Sequence, residues 1–183
     1  MRLFIALDLA ESARAELVAA QTRLHDHPVR WADPAGMHLT LQFLGEADEA
    51  RVPPLLTALA AISVGPFQLA LGELGAFPNA SQPRIIWAGV AGDTAALIRL
   101  QRAVTQATAP LGFIPEARPF KPHLTLGRIR QEAHPAQLHA LGVALARVAP
   151  PAPSVWEAGR PTLFQSTLTA RGAVYTRLGF ESP

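Results

Sequence analysis

The sequence predicts an α+β protein of two pseudo-symmetric lobes, each an antiparallel sheet with helices packed outside, around a central groove. Three observations carry that prediction. The tetrapeptide His-Leu-Thr-Leu occurs twice, at residues 38–41 and 123–126, 85 positions apart (123 − 38) in a chain of 183 residues. Each copy follows a short apolar strand and a helix-patterned stretch, so the order strand, helix, strand appears once in each half. The leading strands also resemble each other: Arg-Leu-Phe-Ile-Ala at 2–6 and Arg-Ile-Ile-Trp-Ala at 84–88, an offset of 82 (84 − 2). No linker separates the halves. The expectation is one bilobal domain over 1–183, with an internal repeat of roughly 1–83 and 84–183.

Residues 2–9 are short and apolar, a buried strand, and 11–25 carry Leu17, Ala20 and Leu24 at helical spacing. Val29–Trp31 is extended, and Asp-Pro-Ala-Gly at 33–36 is a turn. The first His-Leu-Thr-Leu strand runs on through Gly45. A helix starts near Arg51, where Pro53 and Pro54 fall in its first turn, with a stripe of Val52, Leu55, Leu56, Leu59 and Ile62. A strand at 67–71 and a loop at 75–83 precede the strand at 84–89. Asp93 caps a helix whose stripe is Leu97, Leu100, Val104, Ala107 and Leu111. Pro-Phe-Lys-Pro at 119–122 leads into the second His-Leu-Thr-Leu strand. Leu138, Leu141, Leu145 and Val148 mark a fourth helix, ended by Pro150, Pro151 and Pro153. Thr162–Thr169 and 173–180 form a hairpin across 170–172.

Composition narrows the function. Hydrophobic residues make up 49% and charged ones 16%, which excludes a disordered chain. No apolar run reaches a membrane span, and the apolar opening is too short for a signal peptide, so a cytoplasmic, monomeric protein is expected. The absence of cysteine excludes disulfides, thiol nucleophiles and cysteine-based zinc sites. The net charge is only +2, yet all but one of the 16 basic residues are arginines, whose planar fork suits phosphate; Lys121 is the exception. Within each tetrapeptide, residues at i and i+2 share a strand face. His38 and Thr40, like His123 and Thr125, therefore face one way while both leucines face the core. None of His25, His27, His134 and His139 has a neighbouring carboxylate pattern resembling a known metal site, so no metal and no cofactor are expected.

At larger scale the motifs resemble a family. His38 to Gly45 (HLTLQFLG), Arg118 to Arg128 (RPFKPHLTLGR), and Phe164 to Leu168 (FQSTL) with Gly172 and Tyr175 are similar to the two-histidine (2H) phosphoesterases. Within that superfamily they resemble the bacterial RNA 2′,3′-cyclic phosphodiesterases, also called LigT-like 2′-5′ RNA ligases. The resemblance spans Arg2 to Tyr175. It implies hydrolysis of RNA 2′,3′-cyclic phosphate ends, cleaved tRNA among the candidates, and of small cyclic nucleotides. It further implies a 2′-phosphate product. Two imidazoles suit that chemistry without metal: one deprotonates water, the other protonates the departing ribose oxygen, and spacing leaves open which does which. Thr40 and Thr125 would donate to the non-bridging oxygens, where charge builds.

The resemblance implies phosphate or base contact for Arg128 and nucleobase stacking for Phe43. Both lie five residues beyond their histidine, where strict alternation points them to the other face, so a bulge or strand end must re-aim them. Lys121 and Tyr175 are further candidates for RNA contact. An ATP-driven ligase is disfavoured: Lys121 lacks a nucleotidyl-lysine context and no phosphate-binding Gly-rich loop is present. An ATP-independent, reversible 2′-5′ ligation at the same histidines, or RNA binding without catalysis, are the alternatives.

Overall fold

Period-two burial along short strands and one buried stripe per helix build a layered α+β structure in the computed structural model, which describes residues 1–170 and 172–179. Arg171 in the expected hairpin turn, and Phe180 at the expected end of the last strand, lie outside the described residues. The strands are β1 (Arg2–Leu7), β2 (Val29–Trp31), β3 (Leu39–Glu46), β4 (Gln68–Phe77), β5 (Ile85–Gly92), β6 (His123–Ile129), β7 (Val155–Glu157), β8 (Thr162–Thr169) and β9 (Gly172–Leu178). They form one antiparallel sheet in the order β7-β4-β5-β6-β3-β1-β8-β9, with β2 also paired to β6. The helices are α1 (Glu11–Arg23), α2 (Val52–Ala60), α3 (Thr94–Thr108) and α4 (Pro135–Arg147).

The sheet has a thin seam. β3 and β6, the two His-Leu-Thr-Leu strands, pair at one position, Leu39 opposite Leu124. On one side lie β3, β1, β8 and β9; on the other lie β6, β5, β4 and β7, with β2. The strands interleave: β4, from the first half of the chain, joins β5, while β8 and β9, from the second half, join β1.

The helices cover one face. Leu17 of α1, Leu55 of α2, Leu97, Leu100 and Val104 of α3, and Leu141 of α4 share a core with Leu39, Leu41, Leu124 and Leu126. Each fully buried leucine contributes about 1.5–3 kcal/mol. The Asp93 carboxylate accepts a hydrogen bond from the Ala96 N–H at 2.8 Å, capping α3 as its sequence indicates. On the opposite face Phe4, Ala6 and Phe164 form a separate buried cluster.

Three expectations are corrected. Residues 75–77 are not loop but the end of β4, paired to β5 along its length. Gly75 reads as a breaker because its role is contact: a Cβ there would sit 2.4 Å from the Trp87 ring. The three-residue β7, inside a proline-rich stretch, was not anticipated. The leading strands also correspond at an offset of 81, not 82: Phe4 faces Phe43 as Ile85 faces Arg128 (85 − 4). Side chains alternate with period two, so that single-residue slip exchanges core and groove positions.

Candidate active site

The seam assembles the site. Extending the Leu39–Leu124 register one residue each way sets His38 across from Thr125 and Thr40 across from His123. All four share the face away from the buried leucines, and each is half-buried.

Both strands then break alternation at the same place. Ala6 faces Thr40 and Ile5 faces Gln42, so Leu41 is the extra residue of a bulge in β3. Trp87 faces Thr125 and Ile86 faces Gly127, so Leu126 is the extra residue in β6. Each bulge buries two successive residues, Leu41 with Gln42 and Leu126 with Gly127. The residue that follows returns to the histidine face: Phe43 in β3 and Arg128 in β6, both exposed. Burying Gln42 is offset by Thr108 of α3, whose hydroxyl donates to the Gln42 side-chain oxygen at 2.8 Å.

The two imidazoles are held identically. His38 Nδ1 lies 2.7 Å from the Gly36 carbonyl oxygen, and His123 Nδ1 lies 2.8 Å from that of Lys121, in each case two residues back. A carbonyl only accepts, so each Nδ1 carries a proton and each Nε2 keeps its lone pair when the ring is neutral. Among the described residues neither Nε2, nor the hydroxyls of Thr40 and Thr125, has a protein hydrogen-bond partner.

The walls behind the imidazoles differ. The His38 ring packs against Phe4 at 4.6 Å between centroids and meets Tyr175 edge-on at 4.9 Å, with Phe164 at 6.1 Å. Burial holds the His38 pKa below the ordinary 6.5. The Gly36 carbonyl and Asp8 pull it up, while Arg14 and His123 push it further down. Arg14 of α1 donates to the carbonyls of Pro34 and Met37, fixing the short turn that presents Gly36 to His38. Tyr175 lies on Gly36, where a Cβ would come within 3.1 Å of its ring. Asp8 and Arg177 pair at 2.5 Å and, with His38, line a cavity of about 160 Å³. His123, by contrast, meets the edge of Phe77 at 4.9 Å. The Lys121 ammonium sits 5.0 Å above Phe77 and 4.8 Å above Trp87.

The structure thus brings His38, Thr40, His123, Thr125, Phe43 and Arg128 to one face. Tyr175 stands on the His38 wall and Lys121 on the His123 wall. Sequence reasoning missed Phe4, Phe77, Trp87 and Arg14, and took Phe164 only as part of a motif. The slip in the repeat offset hid Phe4 and Trp87, and nothing in an arginine on a surface helix marks Arg14. Of the other histidines, His25 pairs with Asp26 at 2.9 Å and His134 begins α4. Among the described residues no three His, Asp or Glu side chains group as metal ligands, and no helix is long and apolar enough to cross a membrane.

Comparison with known proteins follows the same lines. The model of the LigT like phosphoesterase family matches residues 7–87 and 90–175. A Methanocaldococcus jannaschii protein named RNA 2′,3′-cyclic phosphodiesterase is 29% identical, the match covering 96% of each chain. A crystal structure of a Thermus thermophilus protein superposes with a TM-score of 0.81 at 33% identity, over 98% of this chain and 96% of that one. Escherichia coli LigT in complex with 3′-AMP superposes with a TM-score of 0.78 at 25% identity, over 97% and 95%.

Proposed function

The chain belongs to the LigT-like phosphoesterase family, and on that premise we propose that it hydrolyses RNA 2′,3′-cyclic phosphate ends to 2′-phosphomonoesters by metal-independent acid–base catalysis at His38 and His123. It is an enzyme of the RNA 2′,3′-cyclic phosphodiesterase class, as its relatives' names indicate. The observation that carries the mechanism is the matched pair of imidazoles, each pinned through Nδ1 with Nε2 left unpartnered on one face.

In the proposed step one Nε2 removes a proton from water as the water oxygen bonds to phosphorus. The P–O3′ bond breaks, and the other Nε2 delivers its proton to O3′. The lowered pKa of His38 favours its neutral ring, which suits it to the role of base. Attack and departure lie in line, which suits imidazoles on opposite sides of the seam. Thr40 and Thr125, diagonal to each other between them, donate to the non-bridging oxygens as charge develops. Phe43 offers its exposed ring to the terminal base, and Arg128 adds positive charge further along β6. The E. coli protein's complex with 3′-AMP supports a ribose phosphate as occupant of such a groove. With an RNA 5′-hydroxyl in place of water, the same step is an ATP-independent 2′-5′ ligation, and its reverse is cleavage of that linkage.

Hydrolysis of 2′,3′-cyclic AMP in excess EDTA tests this, with 2′-AMP and 3′-AMP separated by chromatography. Full turnover to 2′-AMP is expected. Turnover lost in EDTA and restored by Mg²⁺ or Mn²⁺ would overturn the two-imidazole mechanism, and mostly 3′-AMP would overturn the choice of leaving oxygen.

A further inference from the structure

Among the described residues the buried polar side chains are Gln21, Gln42 and Thr108, and all three serve the two bulges. Gln42 and Thr108 bond each other behind the β3 bulge. Gln21, near the end of α1, reaches across 105 residues of sequence to the β6 bulge. Its side-chain nitrogen lies 2.9 Å from the Leu126 carbonyl oxygen and 2.9 Å from that of Ala32. Both partners only accept, so the amide must turn its two N–H groups to them.

Leu126 is the residue that the bulge leaves without a partner on β5. Its carbonyl instead takes two donors, Gln21 and the Ala32 N–H, the latter at 2.8 Å. Ala32 directly follows β2, so one amide ties α1, β2 and β6 together at the extra residue. The repeat makes a matching connection. The buried stripes of α1 and α3 correspond at an offset of 80 (97 − 17), Leu17 with Leu97 and Leu24 with Val104, which aligns Gln21 with Gln101. The Gln101 side-chain nitrogen lies 3.5 Å from the carbonyl oxygen of Leu41, the extra residue of the β3 bulge. A glutamine of each half thus anchors the bulge of the other.

The β6 bulge decides where Arg128 points. Side chains alternate with period two, so a bulge that slid or flattened would carry Arg128 off the histidine face. Arg30 stands directly opposite Arg128, and like charges across a strand pair push apart, so the backbone has to hold Arg128 in place. Arg128 follows Thr125 closely enough along β6 that the reacting phosphate lies within the reach of its own side chain.

We propose that Gln21 is a positioning residue for the reaction: by holding the Leu126 carbonyl it locks the β6 bulge and aims the Arg128 guanidinium at the reacting phosphate. The proposal rests on the reading of Arg128 as a phosphate contact. Gln21 itself lies among the helices and touches no substrate.

The test is a double-mutant cycle on kcat/KM for 2′,3′-cyclic AMP, using Gln21→Met, Arg128→Gln and the pair. Thermal melts establish that each variant is folded at the assay temperature. Methionine keeps the length of glutamine and has no N–H to donate. Gln21→Met alone should lower kcat/KM by about tenfold, less than an ångström of misplacement can remove. Arg128→Gln should lower it at least as much, because it removes the group that Gln21 aims. In the Arg128→Gln background the same Gln21→Met should change kcat/KM by less than about twofold. Losses that multiply would overturn the proposal, since Gln21 would then serve the fold and not Arg128. An unchanged kcat/KM in Gln21→Met would overturn it too. If Gln21→Met does not fold, Gln21→Leu takes its place in the cycle. Wild-type kcat/KM in Arg128→Gln alone would overturn the reading of Arg128, and the proposal with it.

Discussion

The two histidine walls share one backbone and differ in what fills it. Ala6 faces Thr40 and Trp87 faces Thr125, so these are matched positions of the repeat, one the second smallest side chain and the other the largest. Over the methyl of Ala6 there is room for the rings of His38 and Phe4 to meet, and Phe164 and Tyr175 close around them. On the other wall the Trp87 indole fills that room, lying against Gly75 and Phe77, and His123 meets Phe77 with the two rings perpendicular. A symmetric backbone thus carries an asymmetric pair of imidazoles. Such a difference favours the neutral ring on the His38 wall, where burial disfavours the charged form.

The comparison breaks first at the histidines. His38→Ala and His123→Ala should each lower kcat by about 10²–10⁴, the usual contribution of a positioned acid or base. The double variant should lose far less than the product of the two losses, because the imidazoles act on one transition state. Steady-state kinetics on 2′,3′-cyclic AMP decides it. A single variant that keeps near-wild-type kcat would reduce that wall to structure.

Phe43 and Arg128, also matched positions, sharpen the comparison at smaller scale. Stacking on a base is worth about 1–3 kcal/mol, so Phe43→Ala should raise KM by about five- to 150-fold with less effect on kcat and no change in salt dependence. Arg128→Gln should instead flatten the salt dependence of RNA binding. Thermal melts separate either effect from unfolding. If Phe43→Ala lost stability and left KM alone, the exposed ring would be serving the Phe4 cluster, 6.3 Å away, and not the substrate.

How much of this was legible in the sequence varies with the kind of signal. An exact tetrapeptide repeat survives any uncertainty about boundaries, and it located the seam, the four polar groups and the buried leucines. Once the resemblance assigned Phe43 and Arg128 to the groove, strand parity required a bulge or a strand end before each, and bulges are present at both places. What stayed hidden depends on register. In β1 five successive residues are buried, so neither face is polar and no alternation marks Phe4 as a groove residue. Gly72 and Gly75 look like loop formers, whereas they let strands and the Trp87 ring approach closely. Arg30 is one arginine among fifteen until pairing shows what it stands opposite.

The smallest expected effect discriminates most finely between the walls. If His38 is the base, it must be neutral to accept the proton from water. Activity is then present above its pKa and lost as pH falls through it. Burial holds that pKa below 6.5, so the acid limb of kcat/KM for 2′,3′-cyclic AMP should lie below pH 6.5. Asp8 is the one carboxylate that raises it. In Asp8→Asn the imidazolium loses its nearest negative charge and faces an Arg177 released from its partner, and both changes disfavour protonation. The acid limb should therefore move to still lower pH, with the alkaline limb unmoved. A pH–rate profile of the two proteins reads this directly. Should the alkaline limb move instead, His38 would be the acid: it would have to stay protonated to serve O3′, and removing Asp8 would make it lose that proton at lower pH. The roles of the walls would then be exchanged, with the two-imidazole chemistry intact. Should neither limb move, the titrations that govern the rate would lie elsewhere, and the difference between the walls would be one of packing alone.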